Sequence, residues 1–293
     1  MIIVLYALTA LLYAGASLYV WRLRALGGTA ASLLATPGAP SHAFVAPPIV
    51  RGAVAVALAA HGVLLHATIF PADSMVFGFA YALSAMLWLG VGIYWVESLF
   101  FPLDTMALLL LPAACVASLL PALFGGVRVL SYAADPMFKV HFLIANLAYG
   151  LLAIAALHAL LMLWVGRRLQ RPVERSVGDR WLGGWLATLP PLLTMERLLF
   201  RLIGAGFLAL TATLISGVAF SEQLLGRPFV LDHKTVFALL SWLMFGSVLV
   251  GRRLRGWRGR AALRWVLASF VALLLAYVGS RFVLEVLLHR PVV

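Results

Sequence analysis

Long apolar stretches constrain this chain more than any motif does, because eight of them take up most of its 293 residues. A helix needs about 20 largely apolar residues to cross the hydrocarbon core of a bilayer. Helices satisfy their backbone polar groups internally in lipid, whereas open sheets do not. The sequence therefore predicts an all-α fold, a polytopic transmembrane bundle of about eight helices. The predicted spans are 1–21, 50–70, 75–96, 103–122, 138–165, 196–217, 234–251 and 262–287.

The composition agrees with a membrane protein. Hydrophobic residues make up 64% of the chain and the mean hydropathy is +1.04, well above the range of soluble domains. The connecting loops are too short for a separate soluble domain, so we expect one transmembrane domain over 1–293. The first apolar stretch has no basic residues before it, unlike a signal peptide, and we expect it to be retained as a helix.

The net charge of +12 is concentrated in three loops. Residues 22–51, 166–197 and 252–264 hold 15 of the 22 basic residues, and these loops follow predicted helices 1, 5 and 7. They therefore lie on one side of the membrane, which the positive-inside rule makes cytoplasmic, with both termini extracytoplasmic. Contact of basic loops with anionic membrane lipid accounts for the charge, and we expect no nucleic-acid partner.

Four of the seven histidines fall at the predicted outer level, on four different helices. The topology places His66, His141, His233 and His289 there. Ionisable residues near lipid are costly and point to function, and imidazoles from two helices can hold one haem iron from both faces. Each histidine alone is more often simply half buried. His61 and His66 lie about 140° apart around their helix, so we expect one of them to pack or hydrogen-bond rather than share a metal.

Other polar residues of the predicted helices leave alternatives open. Arg281 and Glu285 are spaced to pair on one face of the last helix, or Arg281 faces the cavity and meets an anion such as a propionate. Asn146 bonds between helices or orients something bound.

Motifs for covalent catalysis and for metal chemistry based on thiols are missing. Cys115 is the only cysteine, so the chain has no CxxC or CxxCH motif, and we expect this thiol to act as a small buried hydrophobe. There is also no Gly-rich phosphate loop, nucleophile elbow or metalloprotease helix. We therefore expect that the protein is not an enzyme.

Four segments of the C-terminal half resemble a known family. They are HFLIANLAYGLL (141–152), LPPLLTMERLLFRLIGAGFLALTATLISG (189–217), DHKTVFALLSWLMFG (232–246) and RGWRGRAALRWVLASFVALLLAYVGSRF (255–282). Their order resembles that of the cytochrome c assembly proteins, the CcsA/CcmC/HemX-like membrane proteins that handle haem. The similarity is greatest to the HemX- and YpjD-like branch, and the assembly-like region covers 50–290.

The resemblance implies a haem site at the outer surface of a bacterial inner membrane. It makes His141 and His289 the candidate axial ligands of the iron. It also implies that Asp232, His233 and Lys234 line the rim of the haem cavity. His66 and Arg281 complete the candidate cofactor-binding set. The implied partners are membrane lipid, haem, and a cytochrome c maturation or haem-biosynthesis protein.

The sequence departs from the family pattern at two places. The tryptophan-rich external motif is missing, since residues 218–233 contain no Trp, and Gly251 stands about where haem-exporting members have a histidine. These departures favour binding or sensing of haem over its delivery to apocytochrome. Two other hypotheses remain: a non-catalytic scaffold that regulates a haem-biosynthesis partner, and a transporter of small solutes or ions.

Overall fold

The computed structural model describes residues 2–34, 48–70, 76, 78–100, 104–124, 135–168, 192–225 and 233–279. This part of the chain forms eight α-helices and a short π-helical turn. The helices are α1 Ile2–Leu34, α2 Pro48–Ile69, α3 Phe79–Phe100, α4 Asp104–Leu123, α5 Pro136–Arg168, α6 Leu192–Leu225, α7 His233–Arg255 and α8 Gly259–Leu274, with the π-helical turn at Leu275–Gly279.

The predicted all-α bundle is confirmed. Seven helices, α1 to α7, are long and apolar enough to cross a membrane. The eighth predicted span, 262–287, corresponds to α8 and its π-helical turn, and its last residues lie outside the described part. The first helix continues to Leu34, past the predicted end at residue 21, so the loop expected over 22–49 is partly helical. The alanine and leucine residues between 25 and 34 favour this extension, whereas Gly27 and Gly28 do not.

The eight helices pack as two four-membered rings. In the first ring α1 contacts α2 and α4, and α3 contacts the same two helices. In the second ring α5 contacts α6 and α8, and α7 closes the ring by contacting both. Packing of α3 against α5 joins the rings, and Gly150 allows it because a side chain there would meet Leu89 at 3.0 Å. Small residues of this kind let membrane helices approach closely.

Two ends of the bundle differ in chemistry. Three contacts between helix ends lie at one end of the bundle, which we call the basic end. They join Trp95 to Arg51, Arg260 to Gly166, and Arg252 to Glu196. The neighbouring helices alternate in direction, so the opposite end carries His66, His141 and His233, and we call it the histidine end. The described parts of the basic loops thus share one end, as the charge pattern predicted.

The expectation for His61 is confirmed. Its ring is fully buried between α1, α2 and α3, with Nδ1 3.2 Å from the Tyr13 hydroxyl and Nε2 2.9 Å from the Ser84 hydroxyl. A neutral imidazole has one donor and one acceptor, so one hydroxyl donates to the ring and the other accepts from it. This polar bridge fixes how three helices of the first ring are rotated.

Gly206 sets the distance between α5 and α6, and a small substitution there is expected to separate them. A Cβ at Gly206 would lie 2.6 Å from Leu152 Cδ2, and Leu152 is fully buried, whereas a Cβ at Gly204 would meet nothing within 4 Å. We expect Gly206→Ala to lower the free energy of unfolding by about 1–3 kcal/mol through overpacking. Gly204→Ala is the matched control. Unfolding in mixed micelles with rising dodecyl sulfate measures both, and equal effects would contradict the packing account.

Candidate functional site

His141 lies in the second turn of α5, at the histidine end of the second ring. Its ring is half buried, and Nδ1 is 2.8 Å from the Oγ atom of Ser216 on α6. Gly217 leaves room for the imidazole, because a Cβ there would lie 3.4 Å from His141 Cε1. The α5–α6 contact therefore holds the imidazole in one orientation.

Ser216 lies between His141 and Thr213. Its hydroxyl is 3.2 Å from the carbonyl oxygen of Thr213 in the same helix and can donate to it. When it does, the Oγ lone pair accepts a hydrogen from His141 Nδ1, and the imidazole takes the tautomer protonated at Nδ1. In that tautomer Nε2 carries a lone pair, which is the form of imidazole that ligates a metal, and a hydrogen bond on the other nitrogen is typical of ligating histidines.

Aromatic rings cluster beside this end of α5. Phe138 and Phe142 stack with ring centroids 6.5 Å apart. Together with Phe70 and Trp88 they pack against a small buried cluster formed by Leu65, Ile69, Val76, Tyr81 and Ala85. The exposed ring of His66 meets Phe70 edge-on at 6.0 Å. The apolar cluster thus connects His66 to the helix end that carries His141, and it offers the flat apolar contacts that a macrocycle needs.

His233 and Lys234 begin α7 at the same end. Trp242 donates to the Thr211 hydroxyl at 2.8 Å, and its ring stacks on Phe207 with centroids 5.4 Å apart. These contacts set α7 antiparallel to α6, so the first turn of α7 lies beside the end of α6 that carries Ser216. His233 is exposed.

The structure brings together part of the candidate set. It places His66, His141, His233 and Lys234 at one end of the bundle, while Asp232, Arg281 and His289 lie outside the described residues. Within the described ranges, no group of three His, Cys, Asp or Glu side chains could hold a metal ion. The half-buried imidazole of His141 beside the aromatic rings of Phe138 and Phe142 is a set of groups that would fit a macrocycle held by an imidazole and apolar contacts.

Two polar side chains make contacts that the sequence did not specify. Asn146 was expected either to bond between helices or to orient something bound, and in the structure its Nδ2 donates to Phe142 O in its own helix, 2.8 Å away. A short amide one turn above a carbonyl reaches it more easily than a neighbouring helix. Cys115 is half buried and its thiol donates to Ala10 O at 3.4 Å, so it also makes a polar contact between α4 and α1.

Sequence reasoning did not single out Ser216. The signal that could have found it is its predicted depth in the membrane. A hydroxyl at the predicted outer end of α6 lies level with His141 if the two helices are adjacent and antiparallel.

Gly251 is better explained by the structure than by the sequence. A Cβ there would lie 2.9 Å from the Trp257 ring, which folds back over the end of α7 through a turn where Gly256 has φ of 61°. A histidine at 251 would collide with Trp257.

A family comparison covers most of the chain. The profile described as "Cytochrome C assembly protein" matches residues 51–288. The chain belongs to the cytochrome c assembly family. Its membership agrees with the resemblance of the four C-terminal segments, and it extends over α2 to α4 as well, where the sequence suggested only similar hydropathy. The long apolar helices and this family membership agree that the chain is a multi-pass membrane protein.

Individual relatives match about half of the chain. "Inner membrane protein YpjD" of Escherichia coli K12 is 30% identical over 154 residues, which is 53% of this chain and 54% of the relative. A protein of Azospirillum brasilense, "Uncharacterized 28.8 kDa protein in nifR3-like 5'region", is 33% identical over 51% of this chain and 52% of its own length. "Cytochrome c biogenesis protein CcsA" of Thermosynechococcus vestitus is 32% identical over 39% of this chain and 38% of its own.

The chain thus spans about half the length of these two curated relatives. No solved structure matches it. The apolar helices together with these relatives place the protein in the bacterial inner membrane as a multi-pass protein.

Proposed function

We propose that this family member binds and handles haem at the outer surface of the membrane and supports cytochrome c biogenesis or haem metabolism. The observation that carries the proposal is the hydrogen-bonded chain from His141 to Ser216 to Thr213, which suits the tautomer of His141 that ligates a metal through Nε2. In this proposal His141 and His289 would be the two imidazoles that hold the haem iron. When bound, haem would supply iron that changes oxidation state, and the protein would supply its ligands and its shielding from water.

The other residues of the site would hold the rim of the macrocycle. The aromatic cluster of Phe70, Phe138 and Phe142 would contact its apolar faces. Lys234 and Arg281 would pair with the two propionates, which favour guanidinium and ammonium partners. Asp232, His233 and His66 would line the opening. This assignment rests on the positions of His66, His233 and Lys234 at the end that carries His141.

The proposed orientation places the histidine end outside and the basic end in the cytoplasm, with both termini outside. It rests on the positive-inside rule and on the gathering of the described basic segments at one end. The lack of tryptophan in 218–233 and the tight Gly251–Trp257 contact both argue against haem delivery in the manner of exporting relatives. We therefore propose a binding or sensing role without covalent catalysis.

The test is an absorption spectrum of the full chain purified in detergent from cells supplied with haem. We expect a Soret band in the oxidised protein and sharp α and β bands after reduction with dithionite, as two imidazole ligands produce. If no band appears even after hemin is added to the purified protein, the haem proposal is wrong. The scaffold hypothesis would then be tested by copurification of a haem-biosynthesis partner, and the transporter hypothesis by uptake into proteoliposomes.

A further inference from the structure

A cleft of about 260 Å³ opens at the basic end, between α5, α6 and α8. Its walls are mainly apolar, and the side chains that form them are Met162, Leu192, Leu193, Phe200 and Leu263. Leu193 is 65% exposed at the start of α6, so the cleft opens sideways towards the surrounding lipid as well as towards the end of the bundle. An apolar cleft in this position suits an acyl chain better than a polar solute.

Arginine side chains outnumber acidic ones at the mouth of this cleft. Arg260 Nη2 donates to Gly166 O at 3.0 Å, which holds its exposed side chain over the opening. Glu196, on the wall, accepts from Arg252 and lies 3.7 Å from Arg258 Nε. Arg252 also covers the Phe200 ring at 3.7 Å. Among the described residues, Arg252 and Arg258 thus share the carboxylate of Glu196 while Arg260 lines the cleft, and Arg258 keeps 67% of its side chain exposed.

We propose that this cleft binds an anionic phospholipid, with the phosphate on Arg258 and Arg260 and the start of an acyl chain against Leu192, Leu193 and Leu263. The choice of an anionic phospholipid rests on charge complementarity with the arginines and on the opening of the cleft towards the surrounding lipid. Guanidinium groups recognise phosphate through paired hydrogen bonds, and basic pockets between membrane helices favour anionic headgroups. The neutralised Glu196 does not oppose the phosphate, because Arg252 already pairs with it. This site lies at the end opposite His141 and is independent of the haem proposal.

Native mass spectrometry of the delipidated full chain, titrated with dioleoyl phosphatidylglycerol or dioleoyl phosphatidylcholine, tests the proposal. We expect the anionic lipid to bind more tightly. The double substitution Arg258→Glu/Arg260→Glu should lower its affinity by about 25-fold or more, taking about fivefold for each arginine removed. Arg253→Glu/Arg255→Glu is the matched control, because it changes the net charge equally on exposed residues of the same end that neither line the cleft, as Arg260 does, nor pair with its wall residue Glu196, as Arg258 does.

Two further measurements distinguish binding of a whole phospholipid in the cleft from binding of a phosphate group alone. Met162→Phe fills the cleft without changing any charge and should also weaken binding of the anionic lipid, even if the charge reversal disturbs folding. Glycerol 3-phosphate, which carries the headgroup chemistry without acyl chains, should not displace the lipid at equal concentration. Equal losses in both double variants, an unchanged affinity in Met162→Phe, or displacement by glycerol 3-phosphate would each overturn the proposal.

Discussion

Replacing His141 by alanine is expected to cause the largest change in haem binding that any single substitution in the described residues can produce. The variant loses the imidazole that we propose as an axial ligand. The hydroxyl of Ser216 is retained and can hydrogen-bond to water instead. Loss of a group that hydrogen-bonds to a metal ligand and orients it typically lowers the metal affinity by about 10–100-fold. Loss of the ligand itself should lower the haem affinity by more than that. Hemin titration of the purified protein, followed at the Soret band, measures the change.

Substitution of Ser216 separates ligation from orientation. Ser216→Ala keeps His141 but removes the acceptor of its Nδ1 hydrogen, so the affinity should fall by about tenfold and the spectrum should keep its shape. His158→Asn is the matched control for His141→Ala, because both histidines lie on α5. The buried His158 Nδ1 lies 3.0 Å from Ile154 O, and an asparagine can make the same bond, as Asn146 does with Phe142 O. A His158→Asn variant that loses haem while His141→Ala retains it would contradict the proposed site.

Replacing His61 by alanine is expected to cause the largest loss of stability. The side chain is fully buried, and its removal leaves the buried hydroxyls of Tyr13 and Ser84 without their shared partner and opens a cavity. Hydrogen bonds between membrane helices contribute about 0.6 kcal/mol on average and up to about 1.7 kcal/mol. Two such bonds and the cavity together predict a decrease of about 2–4 kcal/mol in the free energy of unfolding.

His61→Phe separates the two contributions, because it fills the space but makes no hydrogen bond. We expect it to lose less stability than His61→Ala and more than His158→Leu. His158 makes one bond within its own helix, and its Nε2 is buried without a partner, so leucine removes a desolvation cost as well as a bond. Unfolding in mixed micelles measures all three variants. If His61→Ala is as stable as the wild type, the polar bridge does not hold the first ring together.

Hydropathy alone predicted the helices well. The predicted span 103–122 and helix Asp104–Leu123 differ by one residue at each end, because Pro102 and the polar Asp104 mark where the apolar stretch begins. The predicted span 1–21 ended thirteen residues before α1 does. Arg22 and Arg24 indicate the end of the apolar segment, but they do not end a helix, since the backbone can continue into the aqueous surface.

The arrangement of the helices could not be read from the sequence. Most of the spans are apolar on nearly all sides, so their sequences show no periodic face that would indicate which neighbour a helix meets or how it is rotated. The pairing of His141 with Ser216, 75 residues apart, depends on both choices. The ion pair of Glu196 with Arg252 of α7, 56 residues away, likewise depends on how α6 and α7 pack.

The central claim is that the imidazole of His141 ligates haem iron, and chemical rescue of a glycine variant tests it most directly. Electron paramagnetic resonance of the oxidised, hemin-loaded protein should show low-spin iron in the wild type. In His141→Gly the low-spin signal should be lost, and added imidazole should restore it by occupying the space that the side chain leaves beside Ser216 and Gly217. A His141→Gly variant that keeps the wild-type signal without imidazole would contradict the claim.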